Sequence, residues 1–278
     1  VTTHQAEAIG RDRFAFGDNW LKFIELMDER RIEQAVASLT AALGVEDLSG
    51  RSFLDVGCGS GLFSLAARRL GARVHSFDYD PDSVAACSLL RDRYASREDW
   101  TVERGSILDE AYLAGLGTFD IVYSWGVLHH TGDMWGAIGA ASALTEPGGS
   151  LFIAIYNDQG LASRVWWRIK RRYVQGGPLT RKSLLLGGKT YFRTRTAVAN
   201  MAKRAVGEPV PSRVPRRGMS QGHDLVDWIG GFPFEVATPE QIFGFLHGRG
   251  FRLRFLKTCR GGLGCNEFVF TAPRTPRA

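Results

Sequence analysis

A chain of 278 residues with 44% hydrophobic and 23% charged side chains has the makeup of a globular α/β domain plus an elaboration, and is long enough to bury a core. No apolar run approaches the roughly 20 residues of a membrane span. The four cysteines (Cys58, Cys87, Cys259, Cys265) lack paired or metal-ligand spacing, and no secretory-type leader is evident, so a cytoplasmic protein without a metal site is expected. The net charge of +6 is uneven: Leu161 to Arg217 holds fifteen Lys/Arg and one acid, Glu208, so that +14 sits there and −8 on the remainder. Such an excess concerns a local partner rather than the whole surface.

Residues 1–50 read as a helical preface. Phe14, Phe16 and Trp20 cluster ahead of apolar positions at helical spacing from Phe23 to Leu43, with Gly44 and Gly50 as stops. Phe53-Leu-Asp-Val56 follows as a buried strand. Gly57, Gly59 and Gly61 then make a tight turn into an apolar helical pattern from Leu62 to Leu70. Glycine tolerates positive φ and has no Cβ to block a ligand lying on the backbone. The spacing is G-x-G-x-G, not the G-x-G-x-x-G of dinucleotide binders, and Asp55 stands where a carboxylate can face an ammonium group or order the loop.

Arg73 to Asp78 is a second strand ending in an acid, where a carboxylate can accept both hydroxyls of a ribose, without choosing among ribose-bearing cofactors, or else merely cap the next helix. Asp80-Pro81-Asp82 supplies helix-start chemistry for a helix through Tyr94. Trp100 to Gly105 is the third strand. Asp109 after it is open to two readings, a ligand for a base or a helix cap. Phe119 to Trp125 is the fourth strand, continuing through Gly126 to His129 and His130 at the carboxyl end of the sheet, where open α/β sheets bind ligands. A helix over Met134–Leu144 and the turn Glu146-Pro-Gly-Gly149 lead to a fifth strand, Ser150–Tyr156. Residues 157–237 interrupt the pattern, with short helical pieces expected between Gly176-Gly-Pro178, Gly187-Gly188 and the proline-rich Pro209–Pro215. A helix over Thr238–Gly248 and two strands, Phe251–Thr258 and Glu267–Thr271, close the chain.

The run Asp55-Val-Gly-Cys-Gly-Ser-Gly61 resembles motif I of the class I S-adenosylmethionine (SAM) methyltransferases, and the match continues for about two hundred residues. The chain is most similar to the quinone-biosynthesis and type-11/type-12 small-molecule groups. The resemblance implies a Rossmann-like, doubly wound seven-stranded sheet in the order 3-2-1-4-5-7-6, with residues 1–50 as a helical cap, 51–156 as the SAM-binding core, 157–237 as a basic substrate-lid insert and 238–278 completing the core. It puts SAM, and its product S-adenosylhomocysteine, against Asp55, Gly57, Cys58, Gly59, Gly61, Asp78, Tyr79, Ser106, Ile107, Ser124, Trp125 and Gly126. Phe16 and Trp20 either close over the cofactor or pack on the main domain. Many relatives carry an acid where Ser106 stands.

Methyl transfer to a hydroxyl needs an aligned nucleophile and a base, and histidine titrates in the useful range. His129 falls at the position of the base in plant-type O-methyltransferases, and His130 at that of a histidine common in quinone and lipid methyltransferases. Adjacent residues point different ways, so one of the pair is expected to face the methyl group, His129 first; a structural role for both is the alternative. His223, Asp224, Asp227 and Glu235 either act on the acceptor from the lid side or form a hydrogen-bonded lid surface. The expected function is methylation of a small, anionic or amphiphilic acceptor, at oxygen. The other readings are an RNA methyltransferase using the basic insert and a catalytically silent SAM-binding protein. No RNA-binding module is recognisable, Ser124–Val127 is not an Asn-Pro-Pro-Tyr-like motif, and no G-x-S-x-G elbow is present. On a helix over Ser163–Tyr173, Val165, Ile169 and Tyr173 share one side with Trp166 beside them. That face is expected to rest on an anionic membrane or a hydrophobic acceptor, the alternative being that its aromatics pack into the domain and leave the arginines solvated.

Overall fold

The computed structural model describes residue 14 and residues 17–25, 27–205, 207–209 and 221–274; for 17–19, 22, 221–224 and 227 it describes the backbone alone. Two compact units result, one of Ala15–Ser163 with Phe234–Ala278, the other of Val1–Phe14 with Arg164–Pro233. The described residues 164–205, 207–209 and 221–233 of the second unit fall within the expected insert, and the described residues between 17 and 50 belong to the sheet unit.

In the first unit the sheet comprises β1 (Ser52–Val56), β2 (Arg73–Asp78), β3 (Trp100–Arg104), β4 (Phe119–Trp125), β5 (Thr145–Tyr156), β6 (Arg252–Lys257) and β7 (Cys265–Thr271), in the order β3-β2-β1-β4-β5-β7-β6. The pairs from β3 through β5 are parallel, and β7 runs antiparallel between β5 and β6. The central strands are buried on both faces, as their continuous apolar runs require. β5 starts earlier than expected: Phe119 pairs with Thr145 but Ile121 with Ser150, so Glu146–Gly149 is a bulge within the strand rather than a turn before it.

The described part of the helical preface holds two helices, α1 (Gly17–Glu25) and α2 (Glu29–Leu43). Asp28 breaks the run by capping α2, its carboxylate accepting from the Arg31 N–H at 2.9 Å, and Gly44 at φ 65° ends it. Next come α3 (Leu62–Arg69), α4 (Pro81–Tyr94), α5 (Glu110–Ala114) and α6 (Met134–Ala143), the links that return the chain between parallel strands.

Among the described residues, the second unit holds α7 (Leu161–Gln175, of which the first three residues belong to the sheet unit), α8 (Pro178–Ala205) and α9 (Gln221–Gly230). Here one expectation fails, and one of two open readings is realised. α8 runs unbroken for 28 residues through Gly187-Gly188. Gly188 is buried because Ile229 of α9 lies where its Cβ would be, so the glycine marks close helix packing, not a break. The aromatic side of α7 also turns inward. Trp166 stacks on Phe192 (5.8 Å, 15°) and meets Tyr191 and Trp228 edge-on. Tyr173 packs on Phe14, whose N–H donates to the Phe232 carbonyl at 3.0 Å. Lys170 is fully buried, its ammonium donating to the Trp228 carbonyl and sitting 4.6 Å from that ring. These rings are this unit's core, and Phe14 belongs to it rather than to a cluster with Trp20.

The chain returns through α10 (Pro239–His247), started by a reciprocal capping box between Thr238 and Gln241.

Candidate cofactor site and histidine loop

The turn after β1 is shaped by three glycines at φ 75°, 52° and 78°. A Cβ on Gly57 would run into Val127, one on Gly59 would lie 3.0 Å from the Trp20 indole, and one on Gly61 would lie 2.6 Å from the Cys87 sulfur. Trp20 of α1 therefore covers the loop. The Gly57 and Cys58 N–H groups donate to the Phe77 carbonyl at 2.9 and 3.1 Å, tying the turn to β2. Asp78 completes the tie: its two oxygens accept from the Gly59 and Asp80 N–H groups, each at 3.0 Å. The buried Cys58 thiol bonds to Cys87, and that bond, then burial, pushes it well up, so what Cys58 offers a ligand is backbone.

Asp55 is buried and accepts from the Ser64 hydroxyl of α3 at 2.5 Å. Ser64 meets Ser76 of β2 at 2.8 Å, and Ser76 accepts from the Trp100 indole N–H at 2.8 Å. Of its two expected roles, this geometry gives Asp55 the ordering one. Burial, opposed by Ser64 and aided by the Asp78 charge, raises its carboxyl to about 7 from the ordinary 3.8. The folded state thus holds this proton more tightly than the unfolded chain. Its contribution to stability is complete below pH 4 and is lost as pH rises towards 7. Denaturation of the ligand-free protein is expected to show stability falling across this window at up to about 1.4 kcal/mol per pH unit. Asp55→Asn should flatten that slope; an unchanged slope would place the titration elsewhere.

Past β3, the Ser106 hydroxyl accepts from the Leu108 N–H at 3.2 Å, and Ile107 is buried. Asp109 is a cap, accepting from the Tyr112 N–H at 3.1 Å at the start of α5. The Tyr112 ring occupies the space over Gly105 and donates its hydroxyl to Glu103 at 2.7 Å; burial first, then Glu103, pushes the phenol up. Tyr79 is half exposed, with the Arg104 guanidinium 5.7 Å from its ring.

At the end of β4, the Ser124 hydroxyl is fully buried and donates to the Val56 carbonyl at 3.0 Å, so it braces the sheet. Trp125 is followed by Gly126 at φ 77°, with open space where a Cβ would stand. Val127 then packs on Gly57 and leads directly into a 3-10 turn, Leu128–His130. Both histidines are buried (0% and 7% exposed), their rings 4.5 Å apart. His129 Nδ1 accepts from the Tyr156 N–H at 3.3 Å, and the Tyr156 ring lies 4.0 Å away. A backbone N–H only donates, so Nδ1 holds the lone pair and the neutral ring keeps its proton on Nε2.

Glu235 secures this loop. Its N–H donates to the His129 carbonyl at 3.0 Å, and its carboxylate accepts from the Gly132 and Met134 N–H groups at 3.1 Å, at the start of α6. Burial outweighs these bonds and raises its carboxyl. Glu235 is therefore a brace for the histidine loop. Phe16 lies outside the described residues, as do the side chains of His223, Asp224 and Asp227. Among the described residues no three potential metal ligands converge. Val127, Tyr156 and the bracing by Glu235 were missed in the sequence. The signal available was their position at or beside the carboxyl ends of β4 and β5.

A glycine cradle without room for Cβ atoms, an acid at the end of β2 and an open glycine after β4 fit a nucleoside cofactor lying across the switch point of the sheet. A family model described as a methyltransferase domain matches residues 27–205, and the chain belongs to that family, as a class I SAM-dependent methyltransferase. The ubiquinone biosynthesis O-methyltransferase of Xanthomonas oryzae pv. oryzae is 35% identical over 111 residues, 40% of this chain and 45% of that protein. Its counterpart from Methylocella silvestris is 33% identical over 129 residues, 46% and 48% of the two chains. The matches thus span a little under half the length of these relatives. The fold is that of the Burkholderia thailandensis 1,6-didemethyltoxoflavin-N1-methyltransferase (TM-score 0.51, 15% identity, 98% of this chain and 91% of that one). It is also that of the Synechocystis PCC 6803 magnesium protoporphyrin IX methyltransferase (TM-score 0.50, 16% identity, 90% and 86%).

Proposed function

We propose that the protein methylates a hydroxyl of a small-molecule acceptor, with His130 as the base. The observation that carries this is the packing of Val127 on Gly57, which sets the histidine loop directly beside the glycine loop. SAM would be held by Asp78 and the glycine turn, with Gly126 leaving room, and supplies an electrophilic methyl group on sulfur. The protein orients the acceptor and removes its proton, tasks that suit a histidine held on a braced turn. Oxygen as the methylated atom is supported by the O-methyltransferase relatives. His129, whose Nδ1 is engaged and whose Nε2 carries the proton, supports the turn and orients its neighbour.

The test is incubation with methyl-labelled SAM and a panel of catechols and other hydroxylated aromatics, followed by fractions of a cell extract. A labelled methyl ether is the expected product. Label appearing in RNA, or SAM binding without any methylated product, would overturn the reading.

A further inference from the structure

We infer that the helical unit docks through α8 on an anionic lipid surface. Leu161–Ala205 contains twelve Lys/Arg and no Asp or Glu. One side of α8 is engaged within the unit, through Gly188 against Ile229 and Phe192 against Trp166. The other side is exposed along its length. At 100° per residue, Leu179, Leu186 and Met201 fall within about 60° of one another on that side. They are 82%, 66% and 68% exposed. Lys182, Arg193 and Arg204, also exposed, flank them at intervals of eleven residues, three helical turns, which keeps them in line. The stripe from Leu179 to Arg204 is about 38 Å long at 1.5 Å per residue.

Large aliphatic side chains and basic heads alternating on one open helix face match a single kind of surface. A phospholipid interface offers hydrocarbon to the Leu and Met side chains and phosphate to the Lys and Arg heads, which reach it on their long stems. A nucleic acid backbone uses the charges and leaves the aliphatic groups without a partner. A second copy would bring the same sign of charge to the face, with no acid to answer it. Among the described residues no helix is long and apolar enough to cross a membrane, so the contact is one of lying on the surface. The inference does not depend on which acceptor is methylated.

Sedimentation with vesicles of phosphatidylcholine, alone or mixed equally with phosphatidylglycerol, tests it on the whole protein. Binding is expected to the anionic vesicles, with release at raised salt. Lys182→Ser, Arg193→Ser and Arg204→Ser together should weaken it by about fivefold per residue, on the order of a hundredfold in all. Leu179→Ser, Leu186→Ser and Met201→Ser together should weaken binding while its salt dependence persists. All six sites are exposed, so far-UV circular dichroism and SAM affinity should match wild type, which separates loss of docking from loss of fold. Equal binding to neutral vesicles, or none to either, would overturn the inference. So would retention of bulk tRNA without vesicle binding, or self-association abolished by the apolar triple variant in place of vesicle binding.

Discussion

Gly59→Val is expected to abolish measurable SAM binding. The position holds φ 52°, a conformation that a β-branched residue adopts only under strain, and its Cβ would stand 3.0 Å from the Trp20 ring. The side chain would also fill the space above the turn where the cofactor must approach the backbone. Asp78→Ala acts on the same loop from below. It removes the acceptor for the Gly59 and Asp80 N–H groups, together with the carboxylate proposed to hold the ribose. Losing charge-assisted bonds of this kind costs about 1.5–3 kcal/mol, or roughly 10- to 150-fold in Kd. Asp78→Asn, which keeps one acceptor oxygen, should fall between. Gly117→Val is the control: it too has positive φ, 74°, but nothing lies within 4 Å of its Cβ, so it should lower stability and spare SAM affinity. Isothermal titration calorimetry reads all four. Wild-type affinity in both Gly59→Val and Asp78→Ala would remove the cofactor from this loop.

The parts of the fold that were legible in sequence are those whose cause is local. β4 is recognisable because a strand buried on both faces is mostly apolar, and Phe119, Ile121, Val122, Tyr123 and Trp125 make up most of it. The start of α4 is recognisable because Asp80 and Pro81 are capping chemistry in consecutive positions. What was illegible depends on partners far along the chain. Gly187-Gly188 has the local signature of a break, yet Ile229, some forty residues on, needs the missing Cβ and keeps the helix going. Trp166 and Tyr173 have the signature of an exposed amphipathic face until Phe14, Phe192 and Trp228 arrive to cover them. The site divides in the same way. The glycine turn is legible by its spacing, Asp78 by its place at the end of β2, and the histidine pair by its place beyond β4 together with the family resemblance. The link from Asp55 through Ser64 and Ser76 to Trp100 joins one helix to three strands and has no signature in any single stretch.

The proposal that His130 rather than His129 is the base rests on a backbone contact that sequence alone does not reveal. A base needs a lone pair that can reach the acceptor's proton. At His129 the Tyr156 N–H engages Nδ1, and the remaining nitrogen carries hydrogen, so the neutral ring in this position has no lone pair to give. His129 is also fully buried, in contact with both His130 and Tyr156. Its truncation should therefore be felt first as lost packing, about 1–3 kcal/mol for an overlarge cavity and an unanswered N–H, visible as a lower Tm. His130→Ala should lower kcat by about 10²–10⁴-fold while leaving Tm and SAM affinity closer to wild type. The pH profile distinguishes the two roles. A base must be deprotonated, so wild-type kcat should rise with pH; that limb should vanish in His130→Ala and persist in His129→Ala at reduced amplitude. If the limb disappears in His129→Ala and survives in His130→Ala, the ring of His129 turns during the reaction and the tautomer assigned from Tyr156 is not the working one. If both variants keep it, the acceptor arrives already deprotonated and the histidines serve only to hold the turn that Glu235 braces from the other side.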